Sequence, residues 1–183
     1  MRKVVSGLFI TLDGVVEAPY LWQFDLFDED MNDAMLKMMA GMDTALLGRV
    51  TYEEWAGYWP NATADEDYAT FINNTPKHVA STTLKQLDWQ NSILIPGNVA
   101  EYVARLKEQP GGTIGIQGSP TLVRYLVAAD LVDELTLAVH PVIAGRGNRL
   151  FPGGEELKRL ALIDSRITAS GVAILTYRPL TTV

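Results

Sequence analysis

Two glycine turns in this chain carry residues suited to holding a phosphate. The first, Gly48-Arg49, follows the apolar run Ala45-Leu46-Leu47 and leads into Thr51-Tyr52-Glu53-Glu54. That run has the length and flanks of a buried strand, and Gly48 lets the backbone turn where a β-carbon would clash. Thr51 and Glu54 stand at capping-box spacing, which predicts a helix opening at Thr51. A helix N-terminus presents unpaired N–H groups with partial positive charge, so Arg49 beside it makes a seat for a nucleotide diphosphate. The second turn, Gly118-Ser119-Pro120-Thr121, follows the strand-like Thr113–Gln117. Gly118 permits close backbone approach, Ser119 is placed to cap a helix, and Pro120 fits its first position. Each turn alone also reads as ordinary strand-to-helix geometry, with Arg49 paired to a surface carboxylate. Two in one chain favour an anion site.

Three further groups could take part. Ser81-Thr82-Thr83, flanked by Lys77 and Lys85, ends a strand and offers hydroxyls for an adenosine-ribose phosphate. Pro19, Tyr20, Trp22 and Phe24 form an aromatic loop whose side chains either tuck into the core or wall a pocket for a planar ligand. Asp25, Asp28, Glu29 and Asp30 suit the first turn of a helix running to about Met42, with Met31, Met35, Met38 and Met42 at helical spacing as a core stripe. His78 lies inside a strand and reads as structural or exposed. His140-Pro141 is a position at which to look for a cis peptide. Gly145-Arg146-Gly147 precedes no helix, so it reads as a connecting loop rather than a dinucleotide fingerprint.

These groups need a scaffold, and the chain supplies alternating elements. Strands are expected at Val4–Leu12, at Ala45–Leu47, from Lys77, at Ser92–Ile95 and at Thr113–Gln117. Helices are expected before Met42, from Thr51, near Asp65–Ile72, after the Asn98 cap and from Pro120. From Asp133 onward the pattern turns antiparallel, with strands at Leu135–Val139 and Val172–Tyr177 and a turn at 167–172. Right-handed crossovers then give an α/β fold with a mainly parallel sheet covered on both faces and antiparallel strands at its C-terminal side. Ligands of such sheets bind beyond the carboxyl ends of the strands, where the turns at Asp13-Gly14, Gly48-Arg49, Ser81-Thr82 and Gly118-Ser119 gather.

With 183 residues, 48% hydrophobic and 20% charged, the chain suits a single domain over residues 1–183. A formal charge of −7 argues against nucleic acid or an anionic membrane as partner. The absence of cysteine excludes disulfides and thiolate metal sites or nucleophiles, and no metal site is expected. The N-terminal apolar run is broken at Thr11 and Asp13, so it reads as a strand and not a targeting signal. A cytoplasmic protein with a short polar tail, Thr181-Thr182-Val183, is the expectation.

The order of elements resembles dihydrofolate reductase, and more closely the reductase domain of riboflavin biosynthesis. The resemblance is carried by Thr11-Leu12-Asp13-Gly14, Leu47-Gly48-Arg49-Val50-Thr51-Tyr52-Glu53, Val79-Ala80-Ser81, Gly118-Ser119-Pro120-Thr121-Leu122-Val123, Leu131-Val132-Asp133-Glu134-Leu135 and Pro141–Gly147. It implies a three-layer αβα dihydrofolate reductase-like fold and an NADPH-dependent reductase of a small planar heterocycle, pyrimidine- or pterin-like. Gly48, Arg49 and Thr51 would hold the pyrophosphate, Ser81 and Thr82 the adenosine phosphate, and Gly118, Ser119 and Thr121 the opposite phosphate side. Leu12, Asp13 and Gly14 would border the nicotinamide. Asp28, nearest to the acid that dihydrofolate reductases carry on the first helix, and Asp13 are the implied catalytic carboxylates, with Asp25 or a water as the alternative proton donor and a helix cap as the plainer role for an acid in that cluster. Trp22 and Phe24 are the candidate substrate-binding aromatics.

Gly118-Ser119 stands where dihydrofolate reductases carry paired glycines, which favours the riboflavin-type subgroup over dihydrofolate reductase proper. There is no His-x-Glu signature of a zinc deaminase. Basic residues for a ribose-phosphate substrate are limited to Arg146 and Arg149. A homodimer is expected from the antiparallel edge and apolar loop. A nucleotide-binding or interaction module without turnover is the alternative reading.

Overall fold

Buried residues alternate with half-buried ones from Val4 to Ile10, the two-residue period of a strand, and Val4–Thr11 forms β1, the strand around which the others are arranged. The computed structural model describes residues 1–180, so the tail expected at 181–183 lies outside the described residues. β1 is followed by α1 (Glu29–Met39), β2 (Met42–Gly48), α2 (Arg49–Tyr58), α3 (Glu66–Asn74), β3 (Lys77–Ala80) and β4 (Ser92–Leu94). Then come α4 (Val99–Glu108), β5 (Thr113–Gln117), α5 (Pro120–Ala128), β6 (Glu134–His140), β7 (Leu160–Ile167) and β8 (Ala173–Pro179). The sheet runs β4-β3-β2-β5-β1-β6-β8-β7, parallel from β4 through β6 and antiparallel at β8 and β7. This is the expected α/β architecture.

Three apolar clusters set the layers. On one face Val4, Leu46, Ile114 and Ile116 pack with Val103 and Leu106 of α4 and with Val123 and Leu126 of α5. On the other, Ala45, Leu47 and Val79 pack with Tyr52 of α2 and Ile72 of α3, while Met31 of α1 covers Ala138 and Ile174. Alternation of side chains along β2 sends Leu46 to the first face and its neighbours to the second. The register places Ala45, Gly115, Val5 and Glu134 in one row across β2, β5, β1 and β6. Helices α1 and α2 therefore share a face, separated by β5 and β1.

Two boundaries differ from expectation. Helix α1 ends at Met39, and Gly41, at φ 79°, turns the chain so that Met42 begins β2 instead of closing the helix. Only Met31 of the methionine stripe is fully core; Met35 and Met38 are half-buried. Helix α2 opens at Arg49 with Gly48 as its cap residue, one turn earlier than a Thr51 cap requires, so Thr51 lies inside the first turn. Asn98 does cap α4, accepting from the Glu101 N–H at 3.1 Å. The His140–Pro141 bond is trans.

Lys77 is fully buried and turned away from the cleft. Its Nζ donates to the carbonyls of Ile72 at 2.8 Å and Thr75 at 2.9 Å, closing the C-terminal end of α3, and lies 4.4 Å from the Trp89 ring centre. Burial pushes its pKa down to about 8. It is thus not available to the Ser81–Thr83 hydroxyls, contrary to the composition argument. Lys77→Met leaves the carbonyls at the end of α3 without a donor, and a loss of about 2–4 kcal/mol in unfolding free energy is expected by urea denaturation.

Candidate active site

The parallel strands all deliver their carboxyl ends to one edge. Gly48 pairs with Ala80 across β2 and β3, and Leu46 pairs with Ile116 across β2 and β5, so the turns after β2, β3 and β5 are neighbours. β1 leaves β5 at Gly7 and Gln117 but stays paired with β6 to Thr11 and His140. The further residues of β1 carry it roughly 13 Å past the end of β5. The edge is stepped, with β1 and β6 rising as a wall beside the floor where β5 stops.

The two glycine turns clasp each other on that floor. The Gly48 N–H donates to Ser119 Oγ at 2.8 Å, and the Ser119 N–H donates to Thr51 Oγ1 at 3.1 Å. Gly118 and Ser119 both adopt left-handed backbone, at φ 52°. A β-carbon on Gly118 would stand 3.1 Å from Thr51 Cγ2, a tight contact, so both conformation and space favour glycine there. Gly48 is extended at φ −80°, and its role is close approach to Ser119. The hydroxyls of Thr51 and Ser119 thus bridge the two turns and do not cap their own helices. Neither α2 nor α5 has a side-chain cap, which leaves their first-turn N–H groups facing the cleft. Arg49 lines the same cleft, ion-paired with Glu53 at 2.7 Å with both side chains about half exposed.

Ser81 Oγ accepts from the N–H groups of Thr83 at 3.2 Å and Leu84 at 3.0 Å, which holds the 81–84 turn, and Ser81 and Thr82 line the cleft. From the turns the cleft continues between α1 and α2. Its floor there is Val5, Gly7 and Gln117. Met38 lies over Gly7 and Met42 over Gly115, where added β-carbons would meet their side chains at 2.5 and 2.2 Å. The opposite wall is Trp55, Trp59 and Tyr68, in contact with one another at centroid separations of 4.8–6.0 Å. Tyr68 donates to Gln117 Oε1 at 3.0 Å, and burial pushes its phenol pKa up, so it stays a donor. Sequence reasoning missed this wall. The signal was Trp55, Tyr58 and Trp59 at i, i+3, i+4 spacing in α2, immediately after the first glycine turn.

The cleft therefore brings together Gly48, Arg49, Thr51, Ser81, Thr82, Gly118, Ser119, Thr121 and Phe24. Leu12, Asp13, Gly14, Trp22 and Asp28 lie outside its lining. Trp22 sits edge-on to His140 with ring centres 5.0 Å apart and donates to the Glu17 carbonyl, anchoring the aromatic loop while Phe24 faces the cleft. His78 is structural, its Nδ1 bonded to the Tyr102 hydroxyl at 2.9 Å.

Both expected catalytic carboxylates are held in local hydrogen-bond networks outside the cleft lining. Asp28 caps α1 through the Met31 N–H at 3.0 Å and accepts the Ser170 N–H at 2.8 Å. Burial opposes its ionisation, but these N–H groups and the Ser170 and Thr168 hydroxyls outweigh it and hold the pKa below the usual carboxylate range. Asp13 accepts from the Thr11 hydroxyl at 2.6 Å and from the N–H groups of Ala144 at 3.0 Å and Gly145 at 2.8 Å, with Arg149 at 3.5 Å. The Thr11 hydroxyl first, then the Ala144 N–H, hold its pKa at about 2. It is an ionised brace for the loop after β6. Its folded pKa is depressed, so its stabilisation is present above the unfolded value near 4 and lost as pH falls toward 2. Amide exchange at Ala144 and Gly145 is expected to accelerate between pH 4 and 2, and Asp13→Asn to show that faster exchange already at neutral pH.

The RibD C-terminal domain family matches residues 2–176. The uncharacterized protein YyaP of Bacillus subtilis (strain 168) is 30% identical over 179 residues, spanning 96% of this chain and 94% of YyaP. A putative riboflavin biosynthesis protein from Shewanella sp. PV-4 superposes with a TM-score of 0.77 at 18% identity, covering 98% of this chain and 99% of that one. Dihydrofolate reductase from Enterococcus faecalis, complexed with NADP(H), superposes with a TM-score of 0.59 at 16% identity, covering 97% and 96%. At these identities the two structures establish a dihydrofolate reductase-like fold. The match across nearly all of the sequence and the likeness to YyaP establish more: the chain belongs to the RibD C-terminal domain family.

Proposed function

We propose that the protein is an NADPH-dependent reductase of a small planar heterocycle, similar in reaction type to 5-amino-6-(5-phosphoribosylamino)uracil reductase. The observation that carries this reading is the clasp of Gly48 and Thr51 with Ser119, which sets two uncapped helix N-termini side by side with Arg49. Such a donor set fits a diphosphate. Ser81 and Thr82 lie one strand away from Gly48, at the reach of an adenosine phosphate. The wall of β1 and β6 shields the floor beside Gln117, where a ring stacked against it is held away from bulk water.

Bound NADPH would supply a hydride, with its electron pair, to the carbon of a C=N or C=O bond. The accompanying proton is delivered by a single water entering the cleft, since Asp13 and Asp28 are engaged in hydrogen bonds outside its lining. The same observation favours a second reading, a nucleotide-binding module without turnover. We further place the protein in the cytoplasm, as a homodimer formed through β7, a sheet edge that exposes Leu162, Ile163 and Ile167.

Titration with NADPH and NADH, followed by nicotinamide fluorescence and calorimetry, tests the cofactor site; binding of neither rejects it. Arg49→Ala is expected to weaken NADPH binding by about 1–3 kcal/mol through loss of a charge-assisted contact. Gly118→Ala, strained at positive φ and crowded by Thr51, is expected to weaken it further. Oxidation of NADPH with any pyrimidine, pterin or carbonyl compound would eliminate the module reading.

A further inference from the structure

We propose that the groove between α1 and α2 takes an uncharged planar aromatic ring bearing no phosphate. This deepens the reductase reading and rests on it. The groove is the continuation of the cofactor cleft past Gln117, so a ligand lying in it abuts the floor beside the β1 wall. Its chemistry is one-sided. The α1 face turned to it presents Met35 and Met38, the start of β2 adds Met42, and the far wall is Trp55, Trp59 and Tyr68. Thioethers on flexible stems reshape around a flat ring, and they contact aromatic edges favourably. Indole and phenol faces stack on it. The glycine floor leaves a flat surface once the methionine side chains move aside.

The cations of the cleft are already committed. Arg49 is assigned to the cofactor diphosphate at the glycine turns, Arg166 is paired with Asp30, and Lys3 with Glu134. Arg149 braces the Asp13 loop, and Arg124 spends its guanidinium on the carbonyls of Arg149 and Leu150 and on Thr121 Oγ1. Among the described residues Lys37 is the lining cation left without a partner, and it is exposed on the last turn of α1. Glu54 and Asp65 add negative charge at the groove itself. A phosphate brought onto this floor would be desolvated beside Glu54 and Asp65, with the exposed Lys37 as its one unpaired cation among the described lining residues, which is unfavourable. The substrate class therefore departs from the phosphoribosyl pyrimidine that the riboflavin-type resemblance suggests.

The test uses matched ligands on the whole protein: 1-naphthol against 1-naphthyl phosphate, and uridine against its 5′-monophosphate. Each is titrated calorimetrically with the cofactor site saturated by NADP⁺. The neutral member of each pair is expected to bind at least about tenfold more tightly. Met38→Arg, which puts a guanidinium beside the Gly7 floor, is expected to reverse that order. Trp59→Leu is expected to weaken naphthol binding about tenfold with NADPH affinity unchanged. Equal or tighter binding of the phosphate esters, or no binding of either neutral ring while NADP⁺ binds, overturns the proposal. Loss of NADP⁺ binding with naphthol selectivity intact would instead reject the reductase reading and keep the groove assignment. If the variants do not fold, the matched pairs on the unaltered protein decide alone.

Discussion

Helices α2 and α5 pack on opposite faces of the sheet, yet their N-termini meet, and two hydrogen bonds are the reason. Gly48 N–H reaches Ser119 Oγ, and Ser119 N–H reaches Thr51 Oγ1, so each turn satisfies a donor that the other leaves open. Ser119 is 6% exposed, so these bonds lie where water cannot replace them cheaply. Much else follows from holding the turns together. Because the hydroxyls are spent on each other, the helix ends keep their own N–H groups for a ligand. Because Gly118 and Ser119 must both be left-handed to make the approach, the chain leaves β5 abruptly and re-enters a helix at Pro120, whose fixed φ starts that helix without losing a needed donor.

The parallel sheet supplies the other half of the arrangement through unequal strand lengths. β5 stops at Gln117 while β1 and β6 continue, paired, to Thr11 and His140. A sheet with flush ends would present a shallow rim; the stepped one makes a corner. The loop that tops the step is rigid for an electrostatic reason: the Asp13 carboxylate gathers the hydroxyl of Thr11 and two backbone N–H groups from the far side of β6. An ionised carboxylate with three donors is a strong brace.

Strands and helices were legible in the sequence because they depend on local pattern. The buried run Ala45-Leu46-Leu47, the Asn98 cap and Pro120 at a first helical position all do locally what their types suggest. The side-chain roles that were misread depend on which way the folded chain turns each side chain. Thr51 and Glu54 have capping-box spacing, but the Thr51 hydroxyl is drawn to Ser119, 68 residues on. Lys77 stands next to a run of hydroxyls in sequence but points into the end of α3. The two glycine turns were found because glycine, serine and proline mark a backbone shape, which is local. The aromatic wall of the groove was not, because Trp55 and Tyr68 meet only once α2 and α3 are packed.

Helix α1 shows why its own acids stay out of the groove. Its N-terminal turn must tie the antiparallel strands to the rest of the sheet. Asp28 takes the N–H of Ser170, Asp30 takes the N–H of Ala169 and pairs with Arg166, and the Ser170 hydroxyl returns a hydrogen bond to the Leu26 carbonyl. These contacts fix the β7–β8 turn against the helix start, and they use the carboxylates at the end of α1 away from Gly7. The turns of the helix that do reach β1 carry Met35 and Met38, with Met38 seated on a glycine because any larger residue would exclude it. One helix thus divides its polar and apolar work along its length. Cross-linking the two parts of the sheet uses the acids at its start, and the later turns are left with thioethers, which can shape a pocket for a ring but have no proton to offer it.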